Sequence, residues 1–64
     1  NAASDGAVAA MMARAAGLAA LYNVRINLTA IKDDQFVTEI KRKVENWEAV
    51  IIDREKEILQ QVKF

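Results

Sequence analysis

The chain has 64 residues with nine basic and nine acidic side chains, and it contains neither cysteine nor histidine. A chain this short forms at most one small domain, and such domains usually need a disulfide, a metal or a partner for stability. The composition excludes disulfides and the usual zinc ligands, and zero net charge gives no general attraction to nucleic acid. A protein partner is therefore the expected source of stability.

Residues 1–28 are predicted to form one long helix that is apolar or small on nearly every side. Only Asp5, Arg14 and Arg25 are charged there, whereas residues 32–64 hold the other fifteen charges. A helix without a polar face must be surrounded by protein or lipid. We expect no membrane span, because an arginine at the membrane centre costs about 2.5 kcal/mol or more. Ser4 or Asp5 is the predicted N-cap of this helix.

One side of this first helix is predicted to be a strip of small residues. At 100° per residue, the strip comprises Gly6, Ala9, Ala10, Ala13, Ala16, Gly17 and Ala20. Asn23 and Asn27 prolong it, while Arg14 and Arg25 point roughly the other way and are expected to be snorkelling or paired side chains rather than ligand clamps. Small residues let another backbone approach closely. The two amides hydrogen-bond to each other and to a neighbouring helix, line a ligand pocket, or are exposed at a frayed helix end.

A short connector, Thr29–Lys32, leads into a second helix that begins at Asp33 or Asp34, either of which can cap it. This helix is amphipathic and about 30 residues long. Its apolar positions recur every three or four residues, with Trp47 assigned to the core: Phe36, Ile40, Val44, Trp47, Ile51, Ile58 and Val62. The predicted fold is all-α, a long antiparallel helical hairpin that forms part of a larger helical bundle.

No catalytic arrangement is visible in the residues themselves. The chain lacks histidine, cysteine and a phosphate-binding loop, and its paired carboxylates lie among surface charges. Catalytic residues therefore stay unassigned and no metal site is expected. From the residues alone, a non-catalytic helical self-association module remains an alternative.

Three motifs, in a fixed order along the chain, are more specific than the composition. They are SDGAVAA at residues 4–10, NVRINL at residues 23–28 and IKDDQF at residues 31–36. Together they resemble the C-terminal part of the formimidoyltetrahydrofolate cyclodeaminase and methenyltetrahydrofolate cyclohydrolase family. The matching positions in the last two motifs are Asn23, Val24, Ile26, Asn27 and Leu28, then Ile31, Asp33 and Phe36.

The resemblance implies that residues 1–64 are the C-terminal fragment of one all-α domain, which acts on one-carbon units of a tetrahydrofolate derivative. It implies either closure of a formimino group with release of ammonia or hydrolysis of the methenyl bridge. The implied substrate-binding residues are Ser4, Asp5, Asn23 and Asn27, with Asn1 a weaker addition. No cofactor is implied beyond the folate substrate. The implied setting is a cytoplasmic homodimer, and the isolated fragment is expected to be inactive.

Overall fold

In the computed structural model, which describes residues 2–62, two helices pack against each other as a hairpin. They are α1 (Ala2–Leu28) and α2 (Asp34–Gln60), which confirms the predicted all-α helical hairpin. The molecule measures 50 × 15 × 9 Å with a radius of gyration of 15.1 Å, whereas a compact domain of this length has about 11 Å. Each helix is therefore covered along one side only.

The N-terminal end of α1 differs from the prediction, whereas its C-terminal end agrees with it. The helix begins at Ala2, so Ser4 and Asp5 lie in its first turn and the prediction that one of them is the N-cap is wrong. Asp5 still complements the positive end of the helix dipole. The last turn remains helical through Leu28, although β-branched residues lower its helix propensity. Burial of Leu28 against α2 stabilises this turn.

The start of α2 follows the sequence prediction. Asp33 is the N-cap, with extended backbone angles (φ −78°, ψ 98°), and its side chain accepts a hydrogen bond from the Phe36 amide at 3.1 Å. Asp34 follows in the first turn, where its charge complements the helix dipole. The connector is closed by a turn in which the Thr29 hydroxyl donates to the Ile26 carbonyl at 2.6 Å.

The core is a thin seam between the helices. Its most buried members are Ala7, Ala10, Leu28 and Val44, and Val44 is only 3% exposed. Half-buried residues extend the seam along both helices: Leu18, Leu21, Val37, Ile40, Ile51 and Leu59. A Cβ on Gly17 would lie 2.9 Å from Ile51 Cδ1. The Ile51 side chain of α2 therefore packs directly on the α1 backbone at Gly17.

The predicted small-residue strip does not act as one surface. Ala10 is buried and Gly17 lies against Ile51 of α2, so this edge of the strip packs on the second helix of the same chain, as small residues at a helix crossing can. The other members of the strip remain exposed: Gly6, Ala9, Ala13, Ala16 and Ala20. The strip is broad enough that its edge packs on α2 while its centre faces outward.

Trp47 is not a core residue of the hairpin, because it is 59% exposed. The seam instead passes through Glu48, one residue further along α2. Large apolar side chains are exposed on both helices: Val8, Met11, Met12, Tyr22, Val24, Ile26, Ile31, Phe36, Trp47, Val50, Ile52 and Ile58. The two helices therefore bury only part of the apolar surface that their sequences carry.

Candidate functional site

The polar contacts between the helices join bases of α1 to acids of α2. Arg25 donates two hydrogen bonds to Glu48, from Nη1 to Oε2 at 2.7 Å and from Nη2 to Oε1 at 2.5 Å. Arg14 Nε lies 3.4 Å from Glu55 Oε1 without forming a hydrogen bond. Both arginines are thus paired, as expected, and neither is available as a ligand clamp.

The Arg25–Glu48 pair perturbs both of its members. Hydrogen bonding to Arg25 lowers the pKa of Glu48, and the same contact with Glu48 raises the pKa of Arg25. Both side chains are about one-third exposed, at 37% and 30%, so solvent screens the pair. The pair therefore joins α1 to α2 at a partly exposed position and adds little to stability.

A second surface of α1 lies opposite α2, and we call it the far face. Its members recur every three or four residues and all are exposed: Asp5, Ala9, Met12, Ala16, Ala20, Asn23 and Asn27. The far face includes three of the four predicted substrate-binding residues. Asp5 is its only ionisable residue.

The structure separates the predicted site residues into two groups. Ser4, which is half-buried, and Asp5 lie in the first turn of α1, whereas Asn23 and Asn27 lie in its last two turns. Asp5 and Asn23 are five helical turns apart, about 27 Å at 1.5 Å per residue. One chain therefore presents two polar ends of the far face joined by small and apolar residues. Asn1 lies outside the described residues.

The best-defined depression in residues 2–62 does not bring these residues together. This depression, of about 450 Å³, is lined by a single helix and contains none of the predicted residues: Asp34, Gln35, Thr38, Glu39 and Arg42. Within the same range, no group of three or more carboxylates is placed to hold a metal ion. The far face offers a carboxylate and two amides, which can bind polar groups but need further residues to enclose a substrate.

Comparison with known proteins identifies the family of the chain. The sequence profile described as formiminotransferase-cyclodeaminase matches residues 1–46. The chain belongs to the formiminotransferase-cyclodeaminase family. No curated protein and no solved structure matches the chain.

The family match covers α1, the connector and the first half of α2. All three quoted motifs and the whole far face lie inside it. Residues 47–64, including Trp47 and Glu48, lie outside it. The predicted site residues that the structure describes all lie within the matched part of this formiminotransferase-cyclodeaminase segment, and the Arg25–Glu48 pair joins that part to the rest of α2.

The sequence reasoning missed the acids that pair with the two arginines. The sequence pattern places Glu48 among surface charges and predicts no role for Glu55, yet both occupy half-buried seam positions between Val44, Ile51 and Leu59. The available signal was their spacing, because 44, 48, 51, 55 and 59 continue one three-to-four periodicity. Charged residues within an apolar stripe indicate partners of opposite charge on the facing helix.

Proposed function

We propose that the chain is the C-terminal helical segment of a domain that acts on one-carbon units of tetrahydrofolate. The reaction is formimino cyclodeamination or methenyl hydrolysis. The observation that carries this proposal is the family match over residues 1–46. The matched region holds the ordered motifs and the face of α1 that carries a carboxylate near one end and two amides near the other.

Ser4, Asp5, Asn23 and Asn27 are the proposed substrate-binding residues. The substrate is a tetrahydrofolate derivative, and the proposal needs neither a metal nor a further cofactor. Asn23 and Asn27 can donate to and accept from the amide-like edge of a pterin. Asp5 is the first residue to test, because it is the only ionisable group on the far face.

The remainder of the domain and a second copy are the proposed partners, in a cytoplasmic protein. α1 is long and apolar enough to span a membrane, with a mean hydropathy of 1.4 over its most apolar window, of which 11% is buried. A core helix passes the same test. Protein is the better cover, because Arg14 and Arg25 point to carboxylates on α2, a pairing that lipid would make costly.

Fragment complementation tests this function with the chain as it exists. A family enzyme that lacks the matching helical segment is mixed with the 64-residue chain, and loss of the methenyltetrahydrofolate chromophore is followed. We expect the chain to restore turnover and to show none alone. Absence of restoration with a folded chain would contradict the segment proposal.

The same assay tests the residues. Asp5→Ala and Asn23→Ala should each lower the restored rate about tenfold, the loss expected for one substrate hydrogen bond worth about 1.4 kcal/mol. Asp53→Ala and Asn46→Ala are matched controls, since both change an exposed residue of α2 in the same way. Equal rates for all four variants would remove Asp5 and Asn23 from the site.

A second candidate function is self-association without catalysis. The exposed apolar residues of both helices favour it, because soluble monomers rarely leave this much apolar surface uncovered. Sedimentation equilibrium of the wild-type chain tests it. A monomer with full helix content at micromolar concentration would reject it.

A further inference from the structure

The last two turns of α1, residues 22–28, contact α2 at two positions. Every residue in this range is exposed except Arg25, which is half-buried, and Leu28, which is buried. Val24 and Ile26 are β-branched, which lowers the intrinsic helix propensity of these turns. The placement of the end of α1 therefore depends on the two contacts.

The two contacts constrain the helix in different ways. Leu28 is 5% exposed, and its apolar burial stabilises the turn without fixing a direction. Arg25 donates from both Nη atoms to the two carboxylate oxygens of Glu48. Such a bidentate pair is geometrically specific even where, as at this exposed position, it adds little to stability. The pair therefore sets how the end of α1 is turned about its own axis.

This rotation decides where the two amides of the far face point. Asn23 and Asn27 lie two residues before and two residues after Arg25, so each is about 160° around the helix from it, one on either side. Turning Arg25 toward Glu48 thus turns both amides away from α2. A change of rotation at Arg25 would move both amides together.

The other ion pair between the helices lacks these properties. Arg14 Nε lies 3.4 Å from Glu55 Oε1 without forming a hydrogen bond. The residues two positions on either side of Arg14 are Met12 and Ala16, which have no hydrogen-bonding side chain. Arg14 is also nine residues from Asn23, about 14 Å along the helix axis. Glu55 is therefore a matched control for Glu48.

We propose that Glu48 is a positioning residue, which acts through Arg25 to hold Asn23 and Asn27 in the orientation that binds substrate. The proposal rests on the proposed function, in which these amides bind a tetrahydrofolate derivative. Glu48 itself touches no substrate in this arrangement. It lies beyond residues 1–46, so the family match assigns it no part in the site.

Amide hydrogen exchange of the 64-residue chain tests the hold on the helix end without any substrate. Glu48→Gln keeps the side-chain shape but loses the charge and one of the two acceptors. Backbone amides of residues 23–28 should exchange about fivefold faster, the size expected when an exposed ion pair no longer resists local opening. Amides of residues 8–14 should be unchanged. Equal acceleration in both ranges would mean a general loss of stability and would overturn the proposal.

Glu55→Gln makes the same substitution at the other pair. Glu55 is 18% exposed and Glu48 is 30% exposed, so a role that depended only on burial in the seam would make Glu55 the more sensitive position. We expect exchange at residues 23–28 to match wild type in this variant. Acceleration there equal to that of Glu48→Gln would overturn the proposal.

The complementation assay tests whether Glu48 acts through the amides. Glu48→Gln should raise KM for methenyltetrahydrofolate about threefold and change kcat by less than about twofold, because misplaced amides weaken binding. Glu55→Gln should leave KM unchanged. In a chain that already carries Asn23→Ala and Asn27→Ala, Glu48→Gln should have no further effect. The same rise in KM in both backgrounds would overturn the proposal.

The two measurements also separate this proposal from the function on which it rests. Faster local exchange in Glu48→Gln, with no turnover restored by the wild-type chain, would reject the proposed function and with it the substrate role of the amides. Restored turnover with wild-type exchange and wild-type KM in Glu48→Gln would overturn the positioning role and leave the function intact.

Discussion

The two helices have the same length, 27 residues each, but the surfaces that the hairpin leaves exposed on them differ in polarity. α2 places most of its charges toward water and one apolar side toward α1, as an amphipathic helix should. α1 has no comparable charged side, so packing against α2 leaves the far face exposed, with alanine, methionine and asparagine and with Asp5 as its one charge. Both helices leave large apolar side chains exposed, but only α2 also has a charged side that water can solvate.

The difference extends to how each helix uses its charges. α1 directs both arginines into the seam, and α2 supplies the acids that meet them. These pairs fix which side of α1 belongs to α2, and they leave the far face without cations. The seam and the far face are therefore chemically distinct surfaces of one helix, and substitutions can separate them.

The largest expected effect comes from overpacking the seam side of α1. Gly17→Leu places new atoms where a Cβ alone already lies 2.9 Å from Ile51 Cδ1. We expect it to lower the free energy of unfolding by about 3 kcal/mol, the upper end of the usual range for overpacking. Urea titration followed by circular dichroism measures the change.

Gly6→Leu is the matched control, because a Cβ there meets nothing within 4 Å. It should raise helix stability by up to about 1 kcal/mol, since leucine replaces glycine within a helix. Equal destabilisation by both variants would show that the seam and outer sides of α1 do not differ in packing.

The next largest expected effect on the free energy of unfolding compares a buried with an exposed valine of α2. Val44 is 3% exposed and Val50 is 43% exposed. Val44→Ala should cost about 2 kcal/mol, because it removes buried methyl groups and leaves a cavity. Val50→Ala should cost less than half as much in the same urea titration. A larger cost at Val50 would mean that its side chain is covered in solution, by a second copy or another partner.

The sequence predicts a structural feature correctly where the signal for it lies within a single helix. The start of α2 at Asp33 was predictable because a capping side chain and an apolar period coincide. The side of α1 that packs on α2 is harder to predict, since a helix that is apolar on all sides does not indicate which side contacts its partner. Trp47 was misplaced because it lies only one residue from a seam position, which a glutamate occupies. Glu48 occupies that seam position because Arg25 lies opposite it on α1.

A smaller effect tests how much α2 depends on its own cap. Asp33→Ala removes the acceptor for the Phe36 amide, and we expect a loss of about 1 kcal/mol. Asp34→Ala should cost less, because it removes only the interaction with the helix dipole. Thermal unfolding followed at 222 nm should rank wild type, Asp34→Ala and Asp33→Ala in descending midpoint.

The smallest effect is the pH dependence of the Arg25–Glu48 pair. Hydrogen bonding to Arg25 lowers the pKa of Glu48 below its ordinary value of 4.5. The folded state therefore holds this carboxylate ionised more firmly than the unfolded state does. Its contribution is fully present above pH 4.5 and is lost as the pH falls through the lower folded value. Wild-type stability should decline across that acid range.

Glu48→Gln isolates this contribution from the other carboxylates, since it keeps the side-chain shape but cannot titrate. The variant should be less stable than wild type at neutral pH and should approach it below the folded pKa, so that the two stability curves converge on acidification. Asp53→Asn, at an exposed position of α2, should run parallel to wild type. Parallel curves for Glu48→Gln would mean that the pair does not form in solution. The chemical distinction between the seam and the far face would then rest on shape alone.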